Sequence, residues 1–171
     1  MLTQARLREV LHYDEATGVF TWKVARGGRF RAGDVAGTVV KKGYIVITID
    51  GRLHRAHRLA WLYVHGYLPP YQIDHRNHSP ADNRIANLRT ATQSENNKNM
   101  RLSTKNTSGY KGVSWNKQAG KWKAYSTLNG KLNYLGYFTT AEAASEAYNR
   151  FAKQHHGEFY VDTRRLEPSC G

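Results

Sequence analysis

Asp74 and His75 are adjacent in the chain, Asn87 follows His75 by twelve residues, and Asn96 follows Asn87 by nine. A carboxylate and an amide carbonyl are hard oxygen donors of the kind that hold one divalent cation, and an imidazole beside them titrates close enough to neutrality to take a proton from water. Metal-assisted hydrolysis is the chemistry within reach of such a set. Any one of these residues would more often be a helix cap or a turn former, so it is the joint spacing that carries the reading.

For the set to converge, a strand, a loop and a helix must come in order. Ile73-Asp74-His75 reads as the strand, and the stretch from 71 to 100 is rich in Asn, Asp, His and Arg, with Ile73, Ile85 and Leu88 as its few apolar anchors. Core packing does not explain a segment this polar. Thr92 and Glu95 form a capping box, which predicts a helix with Asn96 in its early turns.

The flanking chain supplies the scaffold. Leu2, Leu7, Val10 and Leu11 predict a short amphipathic helix over the first dozen residues, ended by Asp14-Glu15-Ala16-Thr17-Gly18. Strands are expected at 19–22, 35–39 and 44–49, and Asp50-Gly51 should fold the last of these back onto Arg52-Leu53-His54-Arg55. A helix from Ala56 to His65 stops at Gly66 and Pro69-Pro70. His54 and His57, near that junction, read as packing or phosphate-contacting residues, and His78, His155 and His156 as surface.

Ser103–Ser108 lacks apolar residues and marks a boundary between a domain at 1–102 and another at 108–162. Beyond it three strands are expected at 110–115, 122–127 and 133–138, the last two joined at Asn129-Gly130. Thr139 with Glu142 then caps a helix whose apolar stripe is Ala143, Ala144, Ala147, Tyr148, Phe151 and Ala152. The expected class is α+β: a mixed N-terminal module, then a three-stranded antiparallel sheet packed on one helix.

Charge narrows the partner. The 171 residues carry 26 Lys+Arg against 13 Asp+Glu, a net +13 spread over both halves. Such an excess favours a polyanion, because each cation near a phosphate releases condensed counterions. No apolar run approaches a membrane span, the first six residues do not open a signal peptide, and the single cysteine, Cys170, excludes a thiolate zinc site. An intracellular nucleic-acid-binding protein is expected, with no membrane partner.

The residues resemble a known pattern. Gly18-Val19-Phe20-Thr21-Trp22, Ala56-His57-Arg58-Leu59-Ala60-Trp61, Asp74-His75, Asn87-Leu88-Arg89 and Glu95-Asn96 together look like the HNH nucleases of phage and intron-encoded homing type, with the ββα-metal motif at about 71–100. The resemblance implies that His75 is the general base, that Asn87 braces the loop holding it, and that Asp74 and Asn96 ligate the metal. Asn96 stands where many members have His. An amide oxygen beside a carboxylate suits one magnesium or manganese ion.

The second half resembles the APETALA-type, or ethylene-response-factor, DNA-binding domain, through Tyr110-Lys111-Gly112-Val113, Gly120-Lys121-Trp122-Lys123-Ala124, Tyr134-Leu135-Gly136-Tyr137-Phe138 and the alanine-rich helix. That family lays its sheet in the major groove. Strand alternation independently puts Lys121, Lys123 and Tyr125 on one face, away from Trp122 and Ala124, with Lys111 and Lys131 extending it and Tyr134 adding an aromatic surface. Ser114, Asn116 and Thr127 occupy positions where plant members carry base-reading arginines, which makes Asn116 a candidate contact without fixing a target sequence.

The expectation is a divalent-metal-dependent HNH DNA endonuclease of a phage or mobile element, acting on double-stranded DNA as a monomer in the cytoplasm of an infected or bacterial cell. The rival is a non-catalytic DNA-binding regulator on a degenerate nuclease scaffold. The joint presence of Asp74, His75, Asn87 and Asn96 argues against it.

Overall fold

Thr3 opens the first element of the computed structural model, which describes residues 2–25, 28, 30–99, 102, 106–128 and 130–160. Its side chain accepts the Arg6 amide, and helix α1 runs over Gln4–Val10. The helix is shorter than the apolar spacing predicts, because Leu11–Asp14 is strand β1, paired antiparallel with β2, Val19–Trp22. Leu11 and Tyr13 are buried while His12 between them is exposed, so a period of two wins over the helical one. Strand β3 is only Thr38–Val39, since Val35 makes no more than an isolated bridge to Thr21. It pairs with β4, Ile45–Ile49, which turns through Asp50 and Gly51, both at positive φ, into β5, Arg52–Arg55.

Helix α2 occupies Ala56–His65, as expected, and stops on Gly66 in the left-handed region. Its inner face joins Leu7, Leu11, Tyr13, Phe20, Trp22, Ile47, Ile49, Ile73 and Leu88 in one core. A last antiparallel hairpin pairs β6, Gln72–His75, with β7, Leu88–Ala91. The chain divides into two units between Thr92 and Gln93, so this core and hairpin belong to the first.

The second unit begins with α3, Gln93–Asn99, which starts immediately after Thr92 as the capping box predicts. The expected boundary segment falls partly outside the described residues, at Ser103–Lys105. Asn106 and Ser108 are tied to the start of the sheet: the Ser108 hydroxyl bonds to the carbonyls of Tyr110 and Val113. Strands β8, Val113–Asn116, β9, Lys121–Leu128, and β10, Lys131–Phe138, form one antiparallel sheet in the order β10-β9-β8. Asn129, in the expected hairpin turn, lies outside the described residues.

Helix α4, Ala141–His155, is capped by Thr140 rather than Thr139: the Thr140 hydroxyl accepts the Ala143 amide at 3.1 Å. Ala141 and Ala144 pack on Val113 and Ala124, with Trp122, Leu135 and Phe138 around them. Small side chains on both layers let helix and sheet approach closely. Gly112 does the same at the sheet edge, where a Cβ would lie 2.2 Å from the Tyr148 ring. His156, expected on the surface, is buried with Nε2 3.4 Å from Ser126 Oγ, and burial pushes it down to about 4.

Candidate active site and nucleic-acid face

Pairing of β6 with β7 sets Asp74 opposite Arg89 and His75 opposite Leu88. Arg89 Nε and Nη2 both donate to Asp74 Oδ2, at 3.0 and 2.9 Å, in a pair whose side chains are only 4% and 9% exposed. A charge this deep persists only with a partner, and the strand register supplies one.

His75 closes β6 and is buried. Its Nε2 lies 3.5 Å from Asn83 Oδ1, and Asn83 Nδ2 in turn donates to the Ala81 carbonyl, which fixes which end of the amide faces the histidine. Burial pushes the imidazole below its ordinary value of 6.5, against the opposing pull of the Asn83 bond, Asp74 and Asp82. It is therefore neutral at pH 7, the form a general base requires.

Asn83 is held from behind. The Tyr13 hydroxyl donates to its carbonyl at 2.7 Å, and Gly18, where a Cβ would stand 2.4 Å from the Arg84 nitrogen, lets the β1–β2 turn press against the loop. Asn87 closes that loop at its far end. Its Oδ1 accepts the Asn77 amide at 3.1 Å, its Nδ2 donates to the Asp82 carbonyl at 2.8 Å, and its own carbonyl accepts the Arg76 amide at 2.9 Å. Arg84 beside Asp82 holds that carboxyl down at about 2.

Asn96 lies on α3, half-buried, in the second unit, and is described apart from the others. Among the described residues no three His, Cys, Asp or Glu side chains gather into a metal-binding group.

In the second unit, strand register puts Ser114, Asn116, Lys121, Lys123, Tyr125, Thr127, Leu132, Tyr134 and Tyr137 on the sheet face opposite α4. Lys123 lies over the Tyr125 ring, Tyr134 meets Tyr137 edge to face at 5.3 Å, and Asn116 donates to the Tyr137 hydroxyl across the sheet. Two expected members lie elsewhere. Lys131 pairs with Leu128 and so belongs to the α4 side, although exposed at the sheet's end. Lys111 precedes β8 and donates from Nζ to the Lys98 carbonyl of α3, and burial lowers it to about 8.

Four residues of these regions are not among those that spacing and charge single out as site members: Arg89, Asn83, His57 and Tyr137. Arg89 comes from the hairpin register once Asp74 is placed on a buried strand. Tyr137 is three residues from Tyr134, so simple alternation sends it to the other face. The register shift between Tyr134 and Gly136 brings it back, and the glycine within the strand is the available signal. His57 precedes Ala60 and Trp61 by three and four residues, which places it on the apolar face of α2.

A family model described as HNH endonuclease matches residues 54–98, the span containing His57, Asp74, His75, Asn87, Arg89 and Asn96. Protein 3.8 of Escherichia phage T7 is 35% identical over 106 residues, covering 61% of this chain and 87% of that protein. An uncharacterised HNH endonuclease of Acanthamoeba polyphaga mimivirus is 31% identical over 120 residues, 70% of this chain and 62% of its own length. An AP2-like ethylene-responsive transcription factor of Arabidopsis thaliana is 42% identical over 50 residues, 29% of this chain and 10% of that protein. The structure of DNA binding and cleavage by the HNH homing endonuclease I-HmuI covers 80% of this chain and 76% of its own, with TM-score 0.41 and 18% identity.

Proposed function

The chain belongs to the HNH endonuclease family, and from that premise we propose that it hydrolyses double-stranded DNA with one divalent metal ion, as a homing endonuclease of a phage or mobile element. His75 is the general base. The observation that carries this reading is its setting: a buried, neutral imidazole at a strand end, braced through Asn83 and a loop that Asn87 closes. Asn87 acts by holding the loop's shape.

Asp74 and Asn96 are the residues that would hold the metal. They fit a hard cation, since both supply oxygen donors. A magnesium or manganese ion bound there would polarise the scissile phosphate and stabilise the leaving 3′ oxygen. Arg89 keeps the Asp74 carboxylate on a fixed bearing.

The C-terminal sheet is the DNA-targeting surface, of APETALA type, with Lys121, Lys123, Tyr125, Asn116 and Tyr134 as contacts and Lys111 and Lys131 at its margins. Exposed Lys121 and Tyr134 with half-buried Lys123 and Tyr125 suit phosphate and sugar contacts. One set of catalytic residues supports one strand cleavage at a time, so the monomer nicks.

Supercoiled plasmid carrying the target, incubated with magnesium, should accumulate as open circle, with chelator and His75→Ala each stopping the reaction. DNA binding without cleavage under magnesium or manganese would replace this reading with the non-catalytic regulator. Linear product in the first turnover from a dimer would overturn nicking alone.

A further inference from the structure

His57 is a buried imidazole that the proposed chemistry does not use. It sits in the first turn of α2, 5% exposed, and its Nδ1 has no hydrogen-bond partner among the described residues. An unpaired buried polar atom costs about 1–3 kcal/mol, so His57→Phe, which removes it and keeps the ring, should be tolerated by the fold. Burial above all, then His75 and the neighbouring Arg55 and Arg58, push it down to about 3, and it is neutral at physiological pH.

What His57 touches gives it a use. Its ring meets the His75 ring edge to face, with centroids 5.0 Å apart and planes at 85°. Tyr44 lies against both, 5.5 Å from His57 and 6.0 Å from His75, and the Arg55 guanidinium covers the Tyr44 ring at 5.0 Å. The three rings therefore pack pairwise. The second torsion of a histidine is broad, and a contact of 3.5 Å to Asn83 is too long to fix the ring's rotation alone. A perpendicular ring packed against the imidazole limits that rotation further.

We propose that His57 is a positioning residue for His75, fixing through edge-to-face packing, with Tyr44 behind both rings, the plane in which His75 presents its proton-accepting nitrogen to water. The proposal rests on the reading of His75 as general base. His57 has no part in binding DNA or carrying the proton. The ring matters, and its nitrogens do not.

The full-length chain with His57→Phe or His57→Gln tests this by four readouts: kcat and KM for plasmid nicking, DNA affinity in chelator, thermal unfolding, and the NMR ring-proton resonances of His75. His57→Phe keeps the packing, and its kcat should stay close to wild type. His57→Gln removes the ring, and kcat should fall about 10- to 100-fold, the scale of a small misplacement, at unchanged KM and DNA affinity. The His75 resonances should lose their ring-current shift in His57→Gln. A folded His57→Gln with wild-type kcat overturns the proposal, as does a folded His57→Phe impaired equally, which would assign the nitrogen a direct part. Should His57→Gln not fold, Tyr44→Leu withdraws the shared ring and should lower kcat at constant KM, and wild-type kcat there overturns the proposal too. If the wild-type protein cleaves nothing, the nuclease reading fails separately, and unmoved His75 resonances would still overturn the ring contact.

Discussion

The polar side chains around His75 and those on the open sheet of the second unit are built on opposite plans. Asp74, His75, Asn83, Asn87 and Arg89 are each buried and bonded to one another or to nearby backbone. On the sheet, Leu132, Tyr134 and Tyr137 are 67%, 54% and 44% exposed, far more than an ordinary core leaves to water. The buried, hydrogen-bonded plan of the first region suits groups that must act on one bond at one angle. The second keeps its side chains solvated, which suits contacts to a long polyanion. Substitutions in the first should therefore appear in rate or fold stability, and those in the second in affinity and its salt dependence.

His75→Ala should show the largest effect, a loss of about 10²- to 10⁴-fold in single-turnover cleavage, the usual worth of a general base, with DNA affinity unchanged. Affinity falling in step with rate would erase the distinction between the two regions. Next comes Arg89→Ala, which takes the ion-pair partner from the buried Asp74 carboxylate and should lower stability by about 3–5 kcal/mol, read by urea unfolding. A near-normal midpoint would mean that water or another group compensates the Asp74 carboxylate.

Acid sharpens the same contrast. The His57 value of about 3 lies well below the 6.5 of an unfolded histidine. Between those limits the unfolded chain takes up a proton that the folded chain refuses, so the stability contributed by the neutral ring is complete above pH 6.5 and is lost as pH falls toward 3. At pH 4.5 the loss should be about 2–3 kcal/mol for this group. Unfolding measured at pH 7 and 4.5 should show a smaller acid loss in His57→Phe than in the wild type. His156 has the same sign in the second unit, so that unit's acid sensitivity should survive the substitution.

Much of this organisation is legible in the sequence. Helix α2, the β4–β5 turn and the start of α3 come directly from periodicity, Asp50-Gly51, Gly66 and Thr92, because each depends on neighbours in the chain. The misses depend on partners that are distant in sequence. The Asp74–Arg89 pair needs a hairpin register, Tyr137 a bulge, and the His57–His75 contact the packing of α2 beside β6. Charge alone sends Lys131 to the basic face, but its side is set by pairing with Leu128.

On the open sheet, Lys121→Ala with Lys123→Ala should weaken DNA binding and flatten the plot of log affinity against log salt by about 0.9 for each phosphate left without its lysine. Cleavage of saturating DNA should proceed at the wild-type rate. A slower chemical step at saturation would tie the sheet to the catalytic residues and break the comparison.

The smallest expected effect tests whether the sheet's exposed plan still needs a well-formed support. Thr140, not Thr139, accepts the Ala143 amide at the start of α4, and α4 backs the sheet through Ala141 and Ala144. Replacing an N-cap threonine by alanine typically costs about 1 kcal/mol, because a helix amide then loses its acceptor. Thr140→Ala should thus lower the stability of the second unit by about that amount, while Thr139→Ala, one residue outside the cap, should leave it near wild type. Neither change alters a charge, so the salt slope of DNA binding should stay constant even where the unfolding midpoint moves. If Thr139→Ala proves the more damaging, the cap is misassigned and the capping box read from Thr139 and Glu142 is restored. If Thr140→Ala changes the salt slope without moving the midpoint, the threonine faces DNA rather than the helix.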